Sequence, residues 1–127
     1  MAQETLTIIE TLELTVPFDE YTVAVRAFVN RAEAEGIRAL ASMQVHNTPG
    51  TTQVGLMLHL SDQSKLLEHV QMIDGWDEFK RYAGMSKVRD LRVFGVLPPE
   101  IEAWLRKYSD ALTIFTQPIV GFVRPPQ

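Results

Sequence analysis

The chain has 127 residues, 46% of them hydrophobic and 22% charged, enough to bury one core and too few for two ordinary domains, so residues 1–127 are taken as a single domain. Twelve Lys and Arg against sixteen Asp and Glu leave a formal charge of -4, which argues against the general phosphate attraction that nucleic-acid binders use. With no Cys, the chain has no disulfide, no thiolate nucleophile and no cysteine-ligated zinc or iron–sulfur cluster.

In chain order, the even positions from 6 to 16 read Leu6, Ile8, Glu10, Leu12, Leu14 and Val16, while the odd ones are mostly Thr. A period of two over this length predicts a strand with one apolar face. Helical spacing follows, with Phe18, Tyr21, Val25, Phe28, Val29 and Ala32 on one side, Pro17 at the entry and Gly36 where a left-handed C-terminal residue belongs. Residues 37 to 47 and 52 to 60 alternate again around Asn47-Thr48-Pro49-Gly50, the order a type II turn needs, and read as a hairpin. Ser61-Asp62 caps a second helix, in which Leu66, Leu67, Val70, Ile73 and Phe79 continue to about residue 83, with Gly75 a point of weakness and Gly84 a stop.

Residues 88 to 97 read as a short extra strand. Pro98-Pro99 open a brief helix over 100 to 108, with acids in its first turn and Arg106-Lys107 in its last. A final strand is placed at residues 111 to 123, with Pro118 marking an edge or a bulge, and the chain ends in a tail. No basic leader opens the chain, and no stretch approaches the roughly 20 apolar residues of a membrane span. A cytoplasmic protein with no membrane and no nucleic-acid partner is expected.

The element order predicts an α+β fold, a ferredoxin-like split βαβ sandwich with a strand–helix pair inserted before the last strand. Strand three sends Val54, Leu56, Leu58 and Leu60 to one side and Gln53, Gly55, Met57 and His59 to the other. The second set is too apolar for open water and too polar for a dry core, which suits a face that meets its own copy in a two-fold homodimer.

The run Leu60-Ser61-Asp62-Gln63-Ser64-Lys65-Leu66-Leu67-Glu68-His69, followed by Trp76-Asp77-Glu78-Phe79, resembles the stretch after strand three in dimeric α/β-barrel proteins of the antibiotic biosynthesis monooxygenase type. The resemblance extends over residues 4 to 83 and the last strand, while residues 88 to 108 depart from the shortest members. It implies a homodimer whose sheets close into a barrel, with a pocket in each subunit between sheet and helices. It further implies a cofactor-independent monooxygenase acting on a small aromatic or quinol-like substrate or, alternatively, a non-catalytic ligand-binding or stress-responsive dimer.

His69, Met72, Trp76 and Phe79 fall at steps of three, four and three, a stripe suited to a flat apolar aromatic ligand, with Tyr21 and Tyr82 as further contacts. An imidazole beside a phenol or hydroquinone can accept the proton whose loss makes the ring reactive toward dioxygen, so no metal and no cofactor is called for. For that role His69 must face a cavity on the order of 300 Å3, large enough for a ring system. The same stripe also reads as plain core packing, with His69 at its boundary. Glu10 is the second candidate, because a carboxyl on an otherwise apolar strand face has a raised pKa unless a bulge turns it outward or an Arg pairs with it. His46 and His59 lie too far apart along the hairpin to share a metal, residue 53 being the expected partner of His46. Lys80, Arg81, Lys87, Arg89 and Arg92 form either a rim for an anionic substrate or a solvated face that pairs with the acidic N-terminal part.

Overall fold

The computed structural model describes residues 4 to 122 and 124. Strand β1 (Leu6–Leu14) is followed by helix α1 (Phe18–Glu35), and β2 (Leu40–Asn47) and β3 (Gln53–Leu60) form the expected hairpin. Gly50 sits at its turn with φ +82, as the third residue of a type II turn requires. Past a short 3-10 turn come α2 (Leu66–Asp74), α3 (Asp77–Ala83), β4 (Ser86–Phe94), α4 (Pro99–Arg106) and β5 (Leu112–Phe115).

Helix α1 carries Asp19 and Glu20 in its first turn and buries Tyr21, Val25, Phe28 and Ala32 of the expected stripe together with Ala24, while Phe18 is exposed and Val29 half-buried. Gly36 differs from expectation. It is extended, at φ -70 and ψ 171, because the chain runs straight out of the helix toward β2. The second helix divides in two: α2 ends at Asp74, Gly75 follows, and Trp76 adopts an extended conformation (φ -88, ψ 131) before α3 restarts with Asp77 and Glu78 in its first turn.

The strands form one open sheet in the order β2-β3-β1-β4-β5. The first four are antiparallel neighbours, and β5 lies parallel to β4, reached through α4. The ferredoxin-like unit is therefore complete at β4. Helix α4 and β5 are an addition at its edge, whereas the sequence reading had made the strand near residues 88 to 97 the insertion and the last strand the closing one. Strand β5 is also shorter than expected. It stops before Pro118, whose missing N–H cannot extend a ladder, and residue 123 of the expected strand lies outside the described residues, as do 125 to 127 of the expected tail.

Two core clusters pack against the helix-facing side of the sheet, one around Leu12, Phe28, Phe79 and Tyr82, the other around Leu6, Leu58, Leu66, Leu91 and Ile101. Among the described residues no helix covers the opposite side. There Met57, Phe94 and Phe115 are each between two-fifths and one-half exposed (45%, 41% and 49%), and Phe94 stacks on Phe115 at 4.9 Å. No helix among the described residues is long and apolar enough to cross a membrane.

Candidate functional site

Where the two core clusters meet, the sheet and helices enclose a cavity of about 110 Å3. Ile8, Glu10, Leu56, Leu58 and Leu91 line it from the sheet, and Leu66, His69, Val70 and Ile73 from α2. Its volume falls short of the roughly 300 Å3 expected for His69 to act as the base on a ring system, and is nearer that of cavities that hold a single benzene-sized ring, about 150 Å3.

Glu10 is in phase with buried Leu6, Ile8, Leu12 and Leu14, and its neighbours across the sheet are Leu56 on β3 and Leu91 on β4. The bulge in the β1–β4 pairing falls after Thr11, too late to turn Glu10 outward. Among the described residues no Lys or Arg pairs with it. Both structural alternatives to an inward carboxyl are thus absent. Glu10 retains some accessible surface where it lines the cavity, yet the surrounding protein desolvates it and raises its pKa from 4.5 to about 7.

His69 comes from the helix wall. It is 3% exposed, and its Nδ1 is buried without a hydrogen-bond partner among the described residues. Burial lowers its pKa from 6.5 to about 4, so the ring is neutral near pH 7. Tyr82 and Phe79 of α3 also line the cavity. Burial, reinforced by Tyr21 and Glu10, raises the Tyr82 phenol well above its ordinary value.

The other expected contacts lie elsewhere. Tyr21 stacks obliquely near Tyr82, with ring centroids 5.8 Å apart, but borders a separate groove between α1 and β2. Its buried hydroxyl has no hydrogen-bond partner among the described residues, and burial pushes the phenol up to about 12. Trp76 packs edge-on to Phe28 under the Arg31 guanidinium, 4.5 Å from its ring centroid, and Met72 packs against the first core cluster. Neither lines the cavity: Met72, on α2 with His69, turns to the first core cluster, and Trp76 stands in the extended break after Gly75.

Ile101, Trp104, Leu105 and Tyr108 supply a wall that the sequence reading missed. Their i, i+3, i+4, i+7 spacing marks an inward helical face, and this signal was present in the sequence. Trp104 stacks on Phe79 at 5.7 Å and 23°, and its Nε1–H donates to Asp74 Oδ1 at 3.3 Å.

The remaining sequence candidates stay outside. His59 Nδ1 shares a 3.0 Å hydrogen bond with Thr7 Oγ1 on the uncovered sheet face. His46 pairs with Gly55, two residues from the expected partner, and His59 with Ser42, which keeps the two imidazoles apart. Of the five clustered basic residues, Lys80 and Arg81 are on α3 and Lys87, Arg89 and Arg92 on β4; none lines the cavity. Arg92 pairs with its neighbour Asp90 at 2.8 Å. Among the described residues, no three His, Asp or Glu are grouped to hold a metal ion.

No protein-family profile and no curated protein matches the sequence. Solved structures do share its shape. MupZ from Pseudomonas fluorescens aligns with a TM-score of 0.64 at 19% identity, covering 97% of each chain. SnoaB from Streptomyces nogalater, a cofactor-independent oxygenase, aligns with a TM-score of 0.58 at 6% identity over 75% of this chain and 95% of its own. A candidate antibiotic biosynthesis monooxygenase from Chloroflexus aurantiacus aligns with a TM-score of 0.56 at 9% identity, covering 75% and 93%. The chain shares the ferredoxin-like fold of these structures.

Proposed function

We propose that the protein is a cofactor-independent monooxygenase that acts on a small hydroquinone or phenol bound between sheet and helices. The observation that carries this reading is that Glu10 and His69 reach the same apolar cavity. Between these two groups, their pKa values assign the roles. A carboxyl near 7 is half ionised at neutral pH, close to the optimum for a general base, whereas an imidazole near 4 is a weak one. Glu10 takes the proton of a ring hydroxyl, and neutral His69 orients the ring through a hydrogen bond. The resulting electron-rich ring passes electrons to dioxygen. One oxygen atom enters a ring carbon, and the other leaves as water with the two hydrogens the substrate gives up.

The likeness in fold to SnoaB supports this chemistry. The cavity limits its scope to one ring as the site stands. The test is oxygen uptake by metal-free protein with single-ring hydroquinones, measured above the protein-free rate. Uptake lost in Glu10→Gln fits the proposal. Binding of the same compounds without oxygen consumption would assign the cavity to the ligand-binding alternative.

The uncovered sheet face supports a two-fold homodimer with the sheets closed into a barrel. Met57, Phe94 and Phe115 expose large apolar side chains on a face that no helix among the described residues covers. Burying that face against a second copy removes roughly 2,000 Å2 or more from water, the range of obligate homodimers. Sedimentation of the wild-type chain as a monomer at micromolar concentration overturns this part of the reading.

A further inference from the structure

We propose that Trp104, on the helix added after the ferredoxin-like core, sets the size of ligand that the cavity accepts, restricting it to a neutral single-ring aromatic. The proposal rests on the cavity being the binding site. Helix α4 is pinned to the sheet by Ile101 and Leu105, 2% and 7% exposed, while Trp104 beside them is only partly buried. The indole packs against both core clusters and so spans the junction where the cavity lies.

Three contacts hold it there. Its ring stacks on Phe79, its Nε1–H donates to Asp74 at the end of α2, and Tyr108 meets it edge-on at 5.0 Å and 63°. A side chain tied to α2, α3 and the turn that follows its own helix cannot rotate away without breaking at least one of these contacts. It is therefore a fixed wall. With this wall in place the cavity of about 110 Å3 has no room for a second fused ring. The charge of the ligand follows from the same lining, in which, among the described residues, Glu10 is the only acid and there is no Lys or Arg. An anion entering would be desolvated beside a carboxyl with no cation to meet it.

The comparisons fit an added wall. SnoaB covers 75% of this chain, about the share that residues 6 to 94 represent, whereas MupZ covers 97%. About a quarter of this chain thus has no counterpart in SnoaB, the share that residues 95 to 127 make up.

Isothermal titration of the full chain with phenol and 2-naphthol, for wild type, Trp104→Ala and Trp104→Phe, tests the proposal. Wild type is expected to bind phenol and to discriminate against naphthol. Trp104→Ala should reduce the naphthol-to-phenol Kd ratio at least tenfold, and Trp104→Phe, which retains a ring against Phe79 and the fold with it, should shift the ratio in the same direction by less. An unchanged ratio in folded Trp104→Phe and Trp104→Ala, with phenol still bound, overturns the role of Trp104 and leaves the site intact. Failure of wild type and both variants to bind phenol overturns the site reading itself, and this proposal with it.

Discussion

Glu10 and His69 reach the same cavity from its two walls, the carboxyl from β1 and the imidazole from α2, and burial moves their ionisation in opposite directions. Desolvation disfavours whichever form is charged, so the acid holds its proton to higher pH and the base declines one until lower pH. Near pH 6 both are mostly neutral, a state suited to an apolar cavity. Each group then contributes its own slope to stability against pH.

For Glu10 the native pKa of about 7 lies above the ordinary 4.5. Between those values the folded chain retains a proton that the unfolded chain has released, so the stability due to this group falls as pH rises from 4.5 to 7 and stays low above that. Glu10→Gln removes the ionisation. Thermal melts should show little change at pH 4.5 and a gain at pH 8 of up to about 3 kcal/mol. A variant no more stable than wild type at pH 8 contradicts the desolvated carboxyl.

For His69 the sign reverses. Its native pKa of about 4 lies below the ordinary 6.5, so stability is present above 6.5 and is lost as pH falls toward 4. His69→Leu keeps an apolar side chain against the cavity and should flatten the acid limb of the stability profile. The expected gain over wild type is ~2 kcal/mol larger at pH 4.5 than at pH 7.5. An equal effect at both pH values would place the imidazole in contact with solvent.

Much of this arrangement was legible in the sequence where the signal is local. The alternation from Leu6 to Val16 placed Glu10 on the buried face of its strand, and the hairpin turn and α1 follow from their own residues. The departures are non-local. Residues 88 to 97 read as an extra strand, and nothing near them in sequence reveals that β4 pairs with β1. Trp76 lies off the cavity because the helix breaks at Gly75, and Met72 because its side of α2 faces the first core cluster, which spacing within the helix does not reveal. The inward pattern of Ile101, Trp104, Leu105 and Tyr108 was visible, but which cavity it faces depends on where α4 returns to the sheet.

Gly95 joins the core to that returning helix and has φ +148, which L side chains rarely adopt. A Cβ there would also approach Leu6 Cδ1 and Gln63 Oε1 to 3.1 Å. Gly95→Ala is expected to destabilise the chain by about 1–3 kcal/mol and to increase hydrogen exchange in α4. A wild-type melting temperature in this variant contradicts the strained connection.

The proposed dimer gives a separate test. Met57→Asp sets a carboxylate on the uncovered sheet face, where a second copy would desolvate it. Sedimentation equilibrium should show wild-type dimer and variant monomer, with the wild-type melting temperature rising with protein concentration. A variant that dimerises as tightly as wild type removes this face from the interface.

In the proposed reaction Glu10 is the base that takes a proton from a ring hydroxyl, and the most direct test is the pH profile of oxygen uptake with 1,4-hydroquinone, above the protein-free rate, in metal-free wild type and Glu10→Gln. Because the carboxylate must be ionised to act, wild-type uptake should rise through an inflection near pH 7, and Glu10→Gln should lose that inflection and at least a hundredfold in rate. Uptake in Glu10→Gln equal to that of wild type across pH 5 to 9 would contradict it.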